Sequence, residues 1–146
     1  MEDLINIFNH FATDFEQAVE DDHWTRLEKY FTEDATYTNI GLTQAKCEGK
    51  ETIVSFFRDD ISQFDRQFDS RELIGLASPK VDGNRLSRPW RTIYKHAGID
   101  ALMVEGEARY LFEGNLIKAI EQELTPTSMK TLSRWMQKNG EKLGVK

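Results

Sequence analysis

Apolar residues recur at helical spacing over the first part of the chain and then give way to alternation. Leu4, Phe8, Phe11, Phe15 and Val19 form one stripe, with Ile5, Ala12 and Ala18 beside it. Asp21-Asp22 interrupts the stripe, and Asp22 is of a type that caps a second helix, with Trp24, Leu27, Tyr30 and Phe31 on one side. Residues 35–40 are rich in strand formers and end at Gly41, which predicts a short strand. A loop through Cys47 follows. Gly49 then precedes a third helix whose buried face is marked by Ile53, Phe57, Ile61 and Phe64.

Beyond Phe68 the period shortens. Residues 71–78, 86–96, 102–112 and 116–124 read as strands, separated by turns at 81–84, 97–100 and 113–115. Pro89 within its strand implies an edge position, a bulge, or an N–H that no neighbour needs. Thr125-Pro126 makes a helix start, with Thr as N-cap and Pro in the first turn. Met129, Leu132, Trp135 and Met136 give that last helix, 126–142, an apolar side. Helices followed by hairpins mean an α+β fold. The expected architecture packs the N-terminal helices in the concave face of a curved antiparallel sheet, with a core over 4–124 and a C-terminal helix added. A sheet curled over helices makes a cone, whose interior is a natural pocket for a small hydrophobic molecule.

Composition narrows the picture. The 146 residues suit a single domain, and such a chain buries about two-thirds of its unfolded surface without needing staples. Nine Phe, three Trp and four Tyr supply a core of large rings, which argues against disorder. A net charge of −6 repels a phosphate backbone, so no nucleic-acid partner is expected. Lys130, Arg134, Lys138, Lys142 and Lys146 stand against Glu141 alone, and this local excess of +4 reads as the solvated face of the last helix. Cys47 is the single cysteine, so no intrachain disulfide forms, and no zinc spacing is present. Neither metal nor cofactor is expected. The acidic start, Met1-Glu2-Asp3-Leu4, is not that of a secretory signal, and no stretch is apolar enough for a membrane span; a cytoplasmic protein follows as the expectation.

Strand alternation selects the candidate site. Tyr37 and Asn39 share one face. Arg88, Trp90, Thr92 and Tyr94 share a face of the next long strand, and Val104, Gly106, Ala108 and Tyr110 share a face opposite to that of Glu105, Glu107 and Arg109. The last strand has two possible phases. Ile117, Ala119, Glu121 and Glu123 alternate with Leu116, Lys118, Ile120, Gln122 and Leu124, and the second set is the more apolar.

The run Tyr30-Phe31-Thr32-Glu33-Asp34-Ala35-Thr36-Tyr37, Gly49 opening a helix, four strands after it, and the hairpin Phe112-Glu113-Gly114-Asn115-Leu116-Ile117-Lys118 resemble the nuclear transport factor 2-like superfamily. Within it the chain is similar to the SnoaL-like branch of small cyclases, isomerases and hydrolases. Where steroid isomerases of that superfamily keep a Tyr, an Asp base and a second acid, Phe15, Asn39 and Ala108 stand, so the resemblance does not extend to their chemistry. Limonene-epoxide hydrolases offer a nearer local likeness: Tyr37-Thr38-Asn39 matches their water-holding pair, Arg88 their arginine and Glu121 their base, while Trp90 replaces their acid. The resemblance implies a cofactor-free acid–base enzyme acting on a small hydrophobic metabolite. Glu121, facing the pocket, would be its base, Tyr37 and Asn39 would orient water or substrate, and Arg88 would tune the base. Trp90, Tyr94, Tyr110, Phe15 and Phe57 would form the walls. A carboxylate among rings loses hydration, which raises its pKa toward a useful range. The alternative is a non-catalytic ligand-binding or dimerisation module. An interior filled by Trp90, Phe15 and Phe57 would favour it. In either case a homodimer through the outer sheet face is expected.

Overall fold

The computed structural model describes residues 3–40 and 45–143. Met1, Glu2, Gly41, Lys146 and the side chain of Ile61 lie outside the described residues. Helix α1, Leu4–Asp21, starts where the Asp3 carboxylate accepts the Ile5 N–H at 3.0 Å. It stops at Asp22, whose left-handed backbone (φ 64°) turns its N–H onto the Ala18 carbonyl. Asp22 does not cap a second α-helix. Its carboxylate accepts the Trp24 indole N–H at 2.7 Å, and the chain makes a 3₁₀ turn over Trp24–Tyr30 that buries Trp24 and Leu27. The third helical segment is α2, Lys50–Phe56, a π-helical turn, Phe57–Ile61, and α3, Ser62–Asp65.

The strands are β1 (Phe31–Ile40), β2 (Ala45–Glu48), β3 (Ser70–Gly75), β4 (Lys80–Asp82), β5 (Arg85–His96), β6 (Ile99–Glu113) and β7 (Leu116–Leu124). β2 and β4 fall where a loop and a turn were expected. The sheet runs β2-β1-β7-β6-β5-β3, with β4 continuing the β3 edge of β5. Its pairs are antiparallel except β1 with β7, which are parallel. The sheet is therefore mixed rather than wholly antiparallel: after β1 the chain passes through the helices, enters the sheet at its far edge, and returns to β1 in the same direction. Pro89 lies on β5 between the β3 and β4 pairings, and its carbonyl accepts from Leu76 in the bend joining them. The ladder is already interrupted there, which is why a proline is tolerated.

Two clusters fill the concave side. The larger joins Phe8, Phe11, Leu27, Phe31, Tyr37, Ile53, Phe57, Tyr110, Phe112, Ile117 and Ile120 under α1 and α2. The smaller joins Phe68, Leu102 and Val104 under Trp135 of helix α4, Pro126–Leu143. Thr125 caps α4 as expected, accepting the Ser128 N–H at 3.1 Å. The Trp135 indole donates to the Asp100 carbonyl at 2.8 Å. Trp90 packs against both clusters. No helix among the described residues is long and apolar enough to cross a membrane.

Candidate functional site

The register sorts every sheet residue into rows. One row of the concave face reads Arg88, Ala108, Gln122, Asn39 across β5, β6, β7 and β1. The row below reads Val81, Leu86, Tyr110, Ile120, Tyr37, and the row above Gly75, Trp90, Gly106, Leu124. Tyr37 and Asn39 thus share the inner face with Arg88 and Trp90, as alternation predicts.

Glu121 does not join them. The β6–β7 register slips between Leu111 and Phe112, so Phe112 pairs with Ile117 while Leu111 pairs with Ala119. This bulge puts both Ile117 and Ile120 in the core, at 0% and 1% exposure, although they are three residues apart. From there on the even-numbered residues face inward. Glu121 lies on the outer face, its carboxylate 3.4 Å from the Arg109 Nε. Arg109 also binds Glu107 at 3.2 Å and Glu123 at 2.8 Å. The place expected for the base belongs to Gln122, a neutral amide whose Oε1 accepts the Trp90 indole N–H at 3.0 Å. Gly106 makes that bond possible: a Cβ there would lie 2.7 Å from the Trp90 ring, so only a bare backbone lets the indole cross from β5 to β7.

Nor does Arg88 act on Glu121. Its Nε donates to the Ala77 carbonyl at 3.1 Å, and its Cζ stands 5.9 Å from the centre of the Phe8 ring. Tyr37 is buried, and burial, with Tyr110 and Cys47 nearby, holds its phenol protonated far above the ordinary range. Tyr110 is shifted the same way by burial alone. Neither phenol is ionised near neutrality, so neither offers a phenolate base there.

The expected wall residues are packing residues. The Phe15 ring meets those of Trp24 and Phe57 at 5.5 and 5.3 Å, edge to face. Phe57 also meets Tyr37 at 5.3 Å, and Tyr110 meets Phe8 at 5.2 Å. These rings pack edge to face on one another on the concave side.

Tyr94 leads to a polar cluster that sequence reasoning missed. Its hydroxyl donates to Asp65 Oδ1 at 3.0 Å, and Arg71 Nε lies 2.7 Å from Asp65 Oδ2 while its Nη1 donates to Glu16 at 2.6 Å. The Asp65 side chain is 4% exposed. Burial pushes its carboxyl above the usual range despite Arg71, whose Nε–H is not aligned to donate. Burial, then the Asp65 charge, raises Tyr94 well beyond its ordinary value. Asp65 follows the π turn, and nothing in the helical spacing pointed to its facing Tyr94. Gln122 carried a signal, as the uncharged polar member of the more apolar set on the last strand, beside Lys118. Among the described residues, no three His, Cys, Asp or Glu gather as a set that could hold a metal ion.

No protein-family model matches the chain, and no curated protein matches it. Solved structures do. An NTF2-like protein from Anabaena variabilis superposes with a TM-score of 0.64 at 16% identity, covering 82% of this chain and 87% of that one. A putative SnoaL-like polyketide cyclase from Shewanella putrefaciens gives 0.61 at 10% identity, over 88% and 95%. A de novo designed protein with a curved β-sheet gives 0.57 at 17% identity, over 90% and 96%. A designed protein among such neighbours underlines that the likeness is one of backbone architecture. The chain has the fold of nuclear transport factor 2-like proteins.

Proposed function

We propose that this chain is a non-catalytic association module that dimerises through the outer face of its sheet. The inner row supports this negatively, since it holds an arginine and two amides where the acid–base reading requires a carboxylate.

The observation that carries the reading is the separation of charge on the outer face. Successive rows there read Lys80, Ser87, Arg109, Glu121 and Asp82, Arg85, Leu111, Ala119, with Pro89, Glu107, Glu123 and Arg91, Glu105 following. On β6 and β7 the single Arg109 answers Glu107, Glu121 and Glu123, while Arg91 reaches across from β5 to Glu105. That half keeps an excess of negative charge. On β4 and β5, Lys80, Arg85 and Lys95 have no ion-pair partner among the described residues, nor has Asp82 opposite Arg85, so this half keeps an excess of positive charge. A groove of about 540 Å³ runs between the halves, lined by Lys80, Arg85, Glu107, Leu111 and Glu121 among others. Under a two-fold axis the basic half of one copy lies over the acidic half of the other, and the match is made twice. Met103, 47% exposed beside Ile93, supplies the apolar contact.

Met103→Glu tests this in gel filtration over a dilution series. The variant is expected to need at least about tenfold more protein than wild type to elute as a dimer. Equal elution of the two at every concentration would refute the interface.

A further inference from the structure

Arg26, Arg58, Arg66, Arg71, Arg91 and Arg109 each hold a carboxylate. Arg88 has no ion-pair partner among the described residues, as Arg85 on the outer face and Arg134 on α4 have none, but of these three Arg88 is the one on the inner face of the sheet. It is half-buried there. Its guanidinium is nevertheless held in place. Nε–H is tied to the Ala77 carbonyl, and the Phe8 ring lies beside Cζ. The group rests on Gly75 so closely that a Cβ there would lie 2.0 Å from Nη2 and 2.4 Å from Cζ. With Nε–H occupied, the two Nη groups present the forked edge that matches a carboxylate. A fixed, partly desolvated guanidinium with an open fork costs free energy that a bound anion recovers.

The surroundings say which anion. Gly75, Leu76, Ala77 and Ser78, the segment over the guanidinium, are exposed, so the edge is reachable. Leu73 lies on the same face of β3, opposite Thr92, and is 47% exposed at the rim of the concave side. Neither Ala108 nor Gln122, the next groups along the row, brings a competing negative charge.

We propose that Arg88 anchors a binding site for a small monocarboxylic acid at the β3 edge of the concave face, with the carboxylate on the Nη fork and an apolar body against Leu73. The site is separate from the outer face and does not depend on dimerisation.

Benzoate, acetate and inorganic phosphate, each titrated into the labelled protein and followed by amide chemical shifts, test it. Benzoate is expected to give saturable shifts at Gly75–Ser78 and Leu73, with acetate weaker by about tenfold because it lacks the apolar body. Arg88→Met should abolish them. Gly75→Ala is the second variant: its Cβ displaces only the flexible end of Arg88, at a backbone position without positive φ, so the charge and the fold remain while the fork moves. It too should weaken benzoate at least about tenfold. The site is overturned if benzoate gives no saturable shifts, if Arg88→Met or Gly75→Ala binds as wild type does, or if phosphate binds as tightly as benzoate.

Discussion

At the scale of single residues, the inner face depends on a few unusual neighbours. Trp90 reaches Gln122 only because residue 106 is glycine. Gly106→Ala forces a Cβ to within 2.5 Å of the Glu123 carbonyl as well as onto the indole, and an overpacked site of this kind is expected to cost about 1–3 kcal/mol in urea unfolding. Glu121→Gln, by contrast, trims one exposed partner of Arg109 and should change stability by less than about 0.5 kcal/mol. A large loss for Glu121→Gln would mean that its carboxylate is buried after all. Asp65 gives the pH-dependent case. Its folded carboxyl titrates above the ordinary value of 3.8, so the native state holds that proton more tightly than the unfolded chain does. Its contribution is therefore fully present below the ordinary value and is lost as pH rises through the folded one. Carbon-detected titration should place the Asp65 midpoint above those of Asp34 and Asp100, which ion pairs and hydrogen bonds lower. In Asp65→Asn, the stability difference in favour of wild type should shrink with rising pH across that window. A midpoint at or below that of Asp34 would contradict the burial argument.

Among the elements, what was legible in the sequence follows from periodicity, and what was not follows from its local failures. α1, β5, β6 and α4 carry long uninterrupted patterns, and their bounds lie close to those expected. Alternation put Val104, Gly106, Ala108 and Tyr110 on one face correctly because β6 pairs without a slip over that stretch. The bulge in β7 is invisible to a period-two reading, since one extra residue reverses every side chain after it. That single slip exchanged Glu121 for Gln122 and removed the proposed base. The resemblance pointed to the fold through its element order, but its site residues fell on positions that the bulge and the ring packing use differently. The short β2 and β4 were missed because three or four residues carry too little pattern to separate strand from turn. Helix α4 closes the concave side instead of standing free, and Trp135 is its main contact. Trp135→Ala should cost about 3–5 kcal/mol, read by chemical denaturation, through the loss of its packing on Phe68 and its bond to Asp100. Trp135→Phe should cost less than half as much, because the ring contact remains. Equal losses would mean that the indole hydrogen bond dominates.

For the whole molecule, the packing of rings on the concave side and the arrangement of charge on the convex side point the same way. The rings of Phe15, Phe57, Tyr37 and Tyr110 pack on the concave side, and in the proposed module the outer face of the sheet meets a second copy while the rim at Arg88 takes a small anion. The acidic chain as a whole repels its own copies, at a net charge of −6. Association therefore requires the local match between the Lys80–Arg85 side and the Glu107–Glu121–Glu123 side to exceed that repulsion. Sedimentation velocity of the wild-type chain at tens of micromolar, in low and in high salt, measures this balance directly. A dimer in low salt that dissociates as salt screens the charge match is the expected result. A monomer in both would contradict the association module, and a dimer indifferent to salt would contradict the charge match that defines its interface.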